Sequence, residues 1–263
     1  MNRRADMDFE YTEIPPTGLL KKYIKHFYIF NSRDTSPERI LPLGNVEITV
    51  SVGDGGNNVL ITNMGTQSYF VVPSALKRMV GISLQPWGLY GLLRISPAEI
   101  ANSKIPLEDV LPPHFRELVH RVQDNDDPGR IIATLQHYLL RHGEDRGHEM
   151  IGDAVSIIDK YRGQLQLSDL FKRYYLSPRR LEQLFDRSVG MSVKKYSRLK
   201  RFHFAVTQLK KDTHLTALAL NAGYYDQSHF IHEFGEFAGV SPRVFLKESN
   251  TLNLINARSW FGK

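Results

Sequence analysis

The 263-residue sequence contains no cysteine. That absence excludes a disulfide framework, thiolate metal sites and a thiol nucleophile. Histidine is almost missing from the first part of the chain, where His26 is the one histidine before residue 110. The His-x-His plus carboxylate set of a metal-bearing β-barrel therefore lacks its ligands there, and no catalytic constellation replaces it. His120, His137, His142 and His148 have no tight ligand spacing and read as surface or helix-end residues. Neither a metal nor a cofactor is expected, and the chain does not read as an enzyme. No run reaches the roughly 18 apolar residues of a membrane helix. The start, MNRRADMDFEYTEI, is polar and lacks a signal-peptide apolar core. A cytoplasmic protein without membrane association is expected. Gly53–Asn58 is glycine-rich but lacks the Lys-Ser/Thr of a phosphate loop, so a hairpin turn is the plainer reading.

Positive charge is abundant but unevenly placed. Residues 1–150 carry 16 basic and 18 acidic side chains, a net of −2, and residues 151–263 carry 18 and 10, a net of +8. Residues 167–211 alone hold 12 basic and 3 acidic side chains, a net of +9, whereas residues 212–263 hold 4 and 5, a net of −1. A cationic field focused on so short a stretch points to an anionic partner.

Two patterns divide the chain. In Val46-Glu47-Ile48-Thr49-Val50-Ser51-Val52 apolar and polar residues alternate, which predicts a half-buried strand. Further strands are expected at Lys25–Phe30, Val59–Thr62, Ser68–Val72 and Met79–Leu84, forming a small antiparallel sheet or barrel. After Trp87, which reads as core or as pocket lining, the period becomes helical. Short pieces fit Gly88–Leu93 and Pro97–Ile100; longer helices fit Pro113–Val122 and Pro128–Arg141, each with proline in its first turn. Residues 143–150 are polar and glycine-containing and read as a linker. Residues 249–263 form a tail without a pattern.

The basic stretch reads as helix, tight turn, helix. Ser168 can cap a helix holding Leu170, Phe171 and Tyr174. Tyr175-Leu176 turn the chain, and Ser177-Pro178 start a second helix. Leu181, Leu184 and Phe185 fall on its inner side, which leaves Arg179, Arg180, Glu182, Gln183 and Arg187 outside. By itself this is compatible with a plain solvated face. A rod follows at Ser192–Leu209. Then Thr213 can cap His214–Ala222, and Asp226 can cap a helix bearing Phe230, Phe234 and Phe237. Two helix-turn-helix units on a rigid spacer, with one of them strongly basic, favour double-stranded DNA as the partner.

Residues 151–247 resemble the DNA-binding region of AraC/XylS-type bacterial transcription regulators. The resemblance rests on Ala219, Gly223, Tyr224, Ser228 and Phe230, then Phe234, Gly239, Ser241 and Pro242, and on Ser177-Pro178-Arg179-Arg180-Leu181 with Phe185 and Gly190. It implies an α+β protein. A cupin-like, degenerate β-barrel or sheet with helices, the effector-binding or dimerisation domain, spans 1–142. After the linker, an all-α domain of two helix-turn-helix motifs joined by a central helix spans 151–248. It implies base contacts from Arg179, Glu182 and Gln183 in the first reader and from Gln227, Ser228, His229 and His232 in the second. Arg180, Arg187, Lys194, Lys195 and Arg198 are the phosphate candidates. RNA polymerase, a small-molecule effector and a second copy of the chain are further implied partners. The effector site is not identifiable in the residues. The alternative is a catalytic or ligand-storing barrel fused to a DNA-binding module.

Overall fold

A computed structural model describes residues 9–32, 37–52, 58–63, 66–71, 78–101, 103–111, 116–125, 127–143 and 149–248. The chain divides into two compact units. The first comprises residues 1–37, 45–63 and 72–147; the second comprises 38–44, 64–71 and 148–263. Residues 38–44 and 64–71 thus leave the sequence neighbourhood of the strands and join the helical unit, which a division at the linker does not foresee.

The first unit is built on an antiparallel sheet in the order β1-β2-β7-β4-β5-β8. The strands are β1 (Phe9–Ile14), β2 (Ile24–Ser32), β4 (Glu47–Val52), β5 (Asn58–Asn63), β7 (Arg78–Leu84) and β8 (Ser103–Pro106). Successive side chains point to opposite faces, so register sorts the sheet into rows. One row, Phe27–Ile82–Ile48–Ile61–Ile105, crosses five strands, and the next is Ile29–Val80–Val50–Val59. These rows join Leu89 and Leu92 of α1 (Gly88–Leu93), Leu118 and Val122 of α2 (Arg116–Gln123) and Ile131, Leu135 and Leu139 of α3 (Pro128–His142) in one core.

The opposite face carries a different row: His26–Ser83–Glu47–Thr62. Glu47, Ser83 and Thr62 are nevertheless buried. Asn45 Nδ2 donates to Glu47 Oε1 at 2.7 Å and to Ser83 Oγ at 3.3 Å, and Lys25 Nζ donates to Asn45 Oδ1 at 3.4 Å. The Tyr11 hydroxyl lies 3.2 Å from His26 Nε2. Tyr28 lies flat on Gly81, where a Cβ would meet its ring at 2.0 Å, so only glycine lets the phenol cover this row.

In the second unit β3 (Glu38–Ile40) pairs with β6 (Tyr69–Val71) as an antiparallel ribbon. The helices are α4 (Glu149–Lys160), α5 (Leu167–Arg173), α6 (Pro178–Val189), α7 (Val193–Gln208), α8 (Leu215–Asn221), α9 (Gln227–Ala238) and α10 (Pro242–Phe245). Ser177 caps α6, Ser192 caps α7 and Asp226 caps α9, each side chain accepting from a backbone N–H three residues on. Both α6 and α9 end at a left-handed glycine, Gly190 and Gly239.

The antiparallel sheet followed by helical helix-turn-helix units agrees with the expected fold class. Details differ. β1, β3 and β8 had no expectation, because short or heavily polar strands leave little periodic signal. α5 starts at Leu167, so Ser168 lies inside it. His214 caps α8 in place of Thr213, whose hydroxyl accepts from Lys210 N at 2.7 Å. The hairpin turn at 53–57, most of the linker and the tail at 249–263 lie outside the described residues, as do residues 113–115 of the helix expected from Pro113.

Burial pushes the Glu47 carboxyl up to about 7, against opposing hydrogen bonds from Ser83 and Asn45. A carboxyl that holds its proton more tightly folded than unfolded adds stability at low pH. That stability drains away as pH rises from the ordinary carboxylate range through about 7. Burial pushes His26 the other way, down to about 4, so its contribution is present above 6.5 and is lost as pH falls toward 4. Glu47→Gln removes only the first effect. The variant's gain in urea midpoint over wild type is expected to grow from about pH 5 to about pH 8. An equal offset at both pH values contradicts the burial of a protonated carboxyl.

Candidate nucleic-acid interface

Two helix pairs share one spacer. α5 and α6 form the first pair and α8 and α9 the second, and α7 runs between them over 16 residues, about 24 Å of helix. α7 is anchored toward α4 by Asp159, which accepts from Tyr196 Oη at 3.0 Å and pairs with Lys200 Nζ at 3.1 Å. Phe185 of α6 packs edge-on to Tyr196 at 5.7 Å. At the other end Phe202 meets Phe234 and Phe237 of α9 at 5.2 and 5.1 Å. The aromatic residues on both inner faces are core.

The polar contact that orders the second pair is Glu233, whose side chain is 2% exposed. It accepts from Arg198 Nε at 2.6 Å and pairs with Arg201 Nη2 at 3.6 Å; His229 Nε2 lies 4.0 Å away. Arg198 also pairs with Glu236. Arg201 lies over the Tyr224 ring at 5.3 Å and donates to Gly223 O at 3.3 Å. Burial, reinforced by Glu233, pushes the Tyr224 phenol far above its ordinary range, so it stays uncharged.

On α6, Leu181 and Phe185 are fully buried while Arg179, Arg180, Gln183 and Arg187 are exposed. Lys194 is exposed at the start of α7, and Lys195 is half-buried. On α9, Ser228, His229 and His232 are exposed. Those on α6 and α9 occupy the solvent sides of the second helices of the two pairs, and the two lysines lie on the spacer. Three other sequence-predicted contacts are held by partners within the chain. Glu182 Oε2 accepts from Val193 N at 3.1 Å and so closes the start of α7. Arg198 is locked between Glu233 and Glu236. Gln227 Oε1 accepts from Thr216 Oγ1 at 2.7 Å, tying α9 to α8.

Tyr175, expected in the turn, and Tyr225 carried no expected contact role. α6 and α9 are each preceded by a tyrosine doublet, Tyr174-Tyr175 and Tyr224-Tyr225. The first member faces inward: Tyr174 donates to Asp153 Oδ2 at 2.8 Å, and Tyr224 is buried. The second faces out, Tyr175 at 96% and Tyr225 at 87% exposure. Tyr175 also holds a left-handed φ of 51°, an unusual conformation for a bulky residue. The doublet is a visible internal repeat, and its recurrence before both readers is the signal that could have found it.

Glu233→Ala removes the carboxylate that neutralises Arg198 and partly neutralises Arg201. Breaking a buried pair from one side costs roughly 3 kcal/mol, so a clearly lowered unfolding midpoint is expected. Glu236→Ala, at a more exposed partner, is expected to cost well under half of that. Equal losses for the two in thermal unfolding would contradict the clamp.

Residues 170–248 match the family model described as a helix-turn-helix domain, and residues 12–106 match a domain of unknown function. The chain is similar to the melibiose operon regulatory protein of Escherichia coli (strain K12), 26% identical over 117 residues, covering 44% of this chain and 38% of that one. It is also similar to the Msm operon regulatory protein of Streptococcus mutans, 26% identical over 125 residues, 45% of this chain and 44% of that one. The chain thus spans less than half the length of these curated relatives. Among solved structures, the C-terminal domain of AraT from Geobacillus stearothermophilus is 24% identical over 39% of this chain and 87% of that chain, with a TM-score of 0.36. ToxT from Vibrio cholerae is 10% identical over 92% and 98%, with a TM-score of 0.44. The C-terminal part of the chain thus carries a helix-turn-helix domain, and the chain is similar to operon regulatory proteins.

Proposed function

We propose that this protein is a sequence-specific DNA-binding transcription regulator in the bacterial cytoplasm. Two readers, α6 and α9, enter neighbouring major grooves, and the first carries most of the affinity. The observation that supports this best is the exposed polar side of α6: Arg179, Arg180, Gln183 and Arg187 stand in solvent on a helix whose other side is core. Arginine offers a planar fork to guanine or phosphate, and glutamine pairs with adenine. α9 offers Ser228, His229 and His232 with no Lys or Arg in its span, so it contributes base contacts with little phosphate neutralisation. Tyr175 and Tyr225 flank the readers where a ring can pack on sugar and a hydroxyl can reach phosphate. Lys194 and Lys195 add phosphate contacts. Arg198, already neutralised by two glutamates, acts as a structural brace in this reading.

The first unit, which holds most of residues 12–106, receives the signal, a small molecule or a protein, and biases how the readers engage promoter DNA and RNA polymerase. A second copy of the chain at a tandem site fits this mode of action. The relatives named as operon regulators support control of neighbouring genes as the output. The buried row around Glu47, with its strongly shifted groups, is the feature of that unit where a bound signal would change a charge state.

Duplexes selected from genomic fragments by the full chain provide the assay. Gln183→Ala is expected to cost about 1–3 kcal/mol on the selected site and to relax the preferred base at one position. Arg187→Ala is expected to weaken specific and random duplexes alike and to lower the slope of log affinity against log salt by about 1. If neither variant alters binding, α6 is not the reader.

A further inference from the structure

We infer that the β3–β6 ribbon is a positioning element for the second reading helix, supplied to the DNA-binding unit by the N-terminal part of the chain. This inference rests on the reading of α6 and α9 as DNA readers. Its evidence is a set of bonds between residues 39–68 and the helices. Ser68 N donates to Phe237 O at 3.2 Å, and Ser68 Oγ donates to Ala238 O at 2.8 Å. Phe237 and Ala238 are the last two residues of α9, where carbonyls have no partner within the helix. The ribbon supplies the missing donors.

A second attachment lies just beyond α10. Arg39 forms a two-point pair with Glu248, Nε to Oε2 at 2.9 Å and Nη2 to Oε1 at 3.0 Å. The Arg39 side chain is 11% exposed and its guanidinium lies over Phe70 at 4.4 Å, so the pair is shielded from solvent. Planar, two-point pairs of this kind fix angle as well as distance. A third attachment reaches α7, where His203 Nε2 lies 2.7 Å from Pro42 O and donates to it. His203 is fully buried. The ribbon and its flanking turn therefore hold α7, the end of α9 and the segment after α10. α7 and α9 are also the two helices that the Glu233 clamp joins.

A helix of 12 residues is a stiff rod about 18 Å long, so fixing its C-terminal end fixes the aim of its first turns. Those first turns carry Ser228, His229 and His232. The location of the ribbon in the chain gives the arrangement its meaning. β3 lies between β2 and β4, and β6 between β5 and β7, so each ribbon strand is flanked on both sides by strands of the other unit. In this protein the aim of α9 depends on residues more than 150 positions before it.

The test uses the full chain carrying Arg39→Glu, Glu248→Arg or both changes. Amide exchange in the free protein and footprinting on a duplex selected by wild type are read together. Each single change is expected to speed exchange at residues 235–245 and to weaken the duplex about tenfold. The loss of protection should be confined to the half-site of α9 while that of α6 persists. The double change, which restores an opposite-charge pair, is expected to recover both readouts. A purely global stability defect would weaken both half-sites together, and that result overturns the inference. So does unchanged exchange at 235–245 in both single variants. A wild-type chain that selects no duplex sinks the DNA reading itself, and exchange then still decides whether the ribbon holds α9.

Discussion

An almost fully buried carboxylate has to be matched, and Glu233 is matched from the neighbouring helix. Its side chain lies on α9, and Arg198 and Arg201 come from α7. The pairing sets which face of α9 turns inward and so which residues turn out. Ser228, His229 and His232 point to solvent because Phe230, Glu233, Phe234 and Phe237 do not. The same carboxylate removes Arg198 from the surface cations. One buried charge thus settles both the orientation of α9 and the weak positive field around it.

α6 and α9 share a plan and differ in chemistry. Each begins at a side-chain cap, ends at a left-handed glycine and is introduced by a tyrosine doublet. The first spends its exposed side on arginine and glutamine. The second uses histidine and serine, and its glutamates hold the arginine of α7. A strongly cationic reader gains affinity for any phosphate backbone and, with it, nonspecific binding. A nearly neutral partner adds discrimination without adding much to that background. Under the proposed DNA reading, the division between +9 over residues 167–211 and −1 over residues 212–263 has this physical sense.

Much of this was legible from residue order. Alternation in β4 and the 3.6-residue period of α6, α7 and α9 gave the elements, because an apolar side set against a polar one writes its period directly into the residues. The serine and aspartate caps were equally plain at Ser177 and Asp226. What was not legible depends on long-range partners. Nothing around Arg39 indicates that its carboxylate is Glu248, and nothing around Ser68 indicates that its acceptors end a helix 170 residues later. Glu182 and Arg198 looked like contact residues because an exposed-side charge carries no mark of its partner. The ribbon strands are three residues each, too short for a period to show.

The ribbon has a kinetic side as well. Its residues leave the ribosome well before the helix end they bind, because the bond between Arg39 and Glu248 spans 209 positions. Until that end is made, the hydroxyl and amide of Ser68 lack the two acceptors they bond in the folded chain. Closing so long a loop costs conformational entropy that grows with the logarithm of its length, and contacts of this range are slow to form. The helices can build their own turns early, but the seating of α9 on the ribbon belongs to a late stage of folding, after Glu248 has been made.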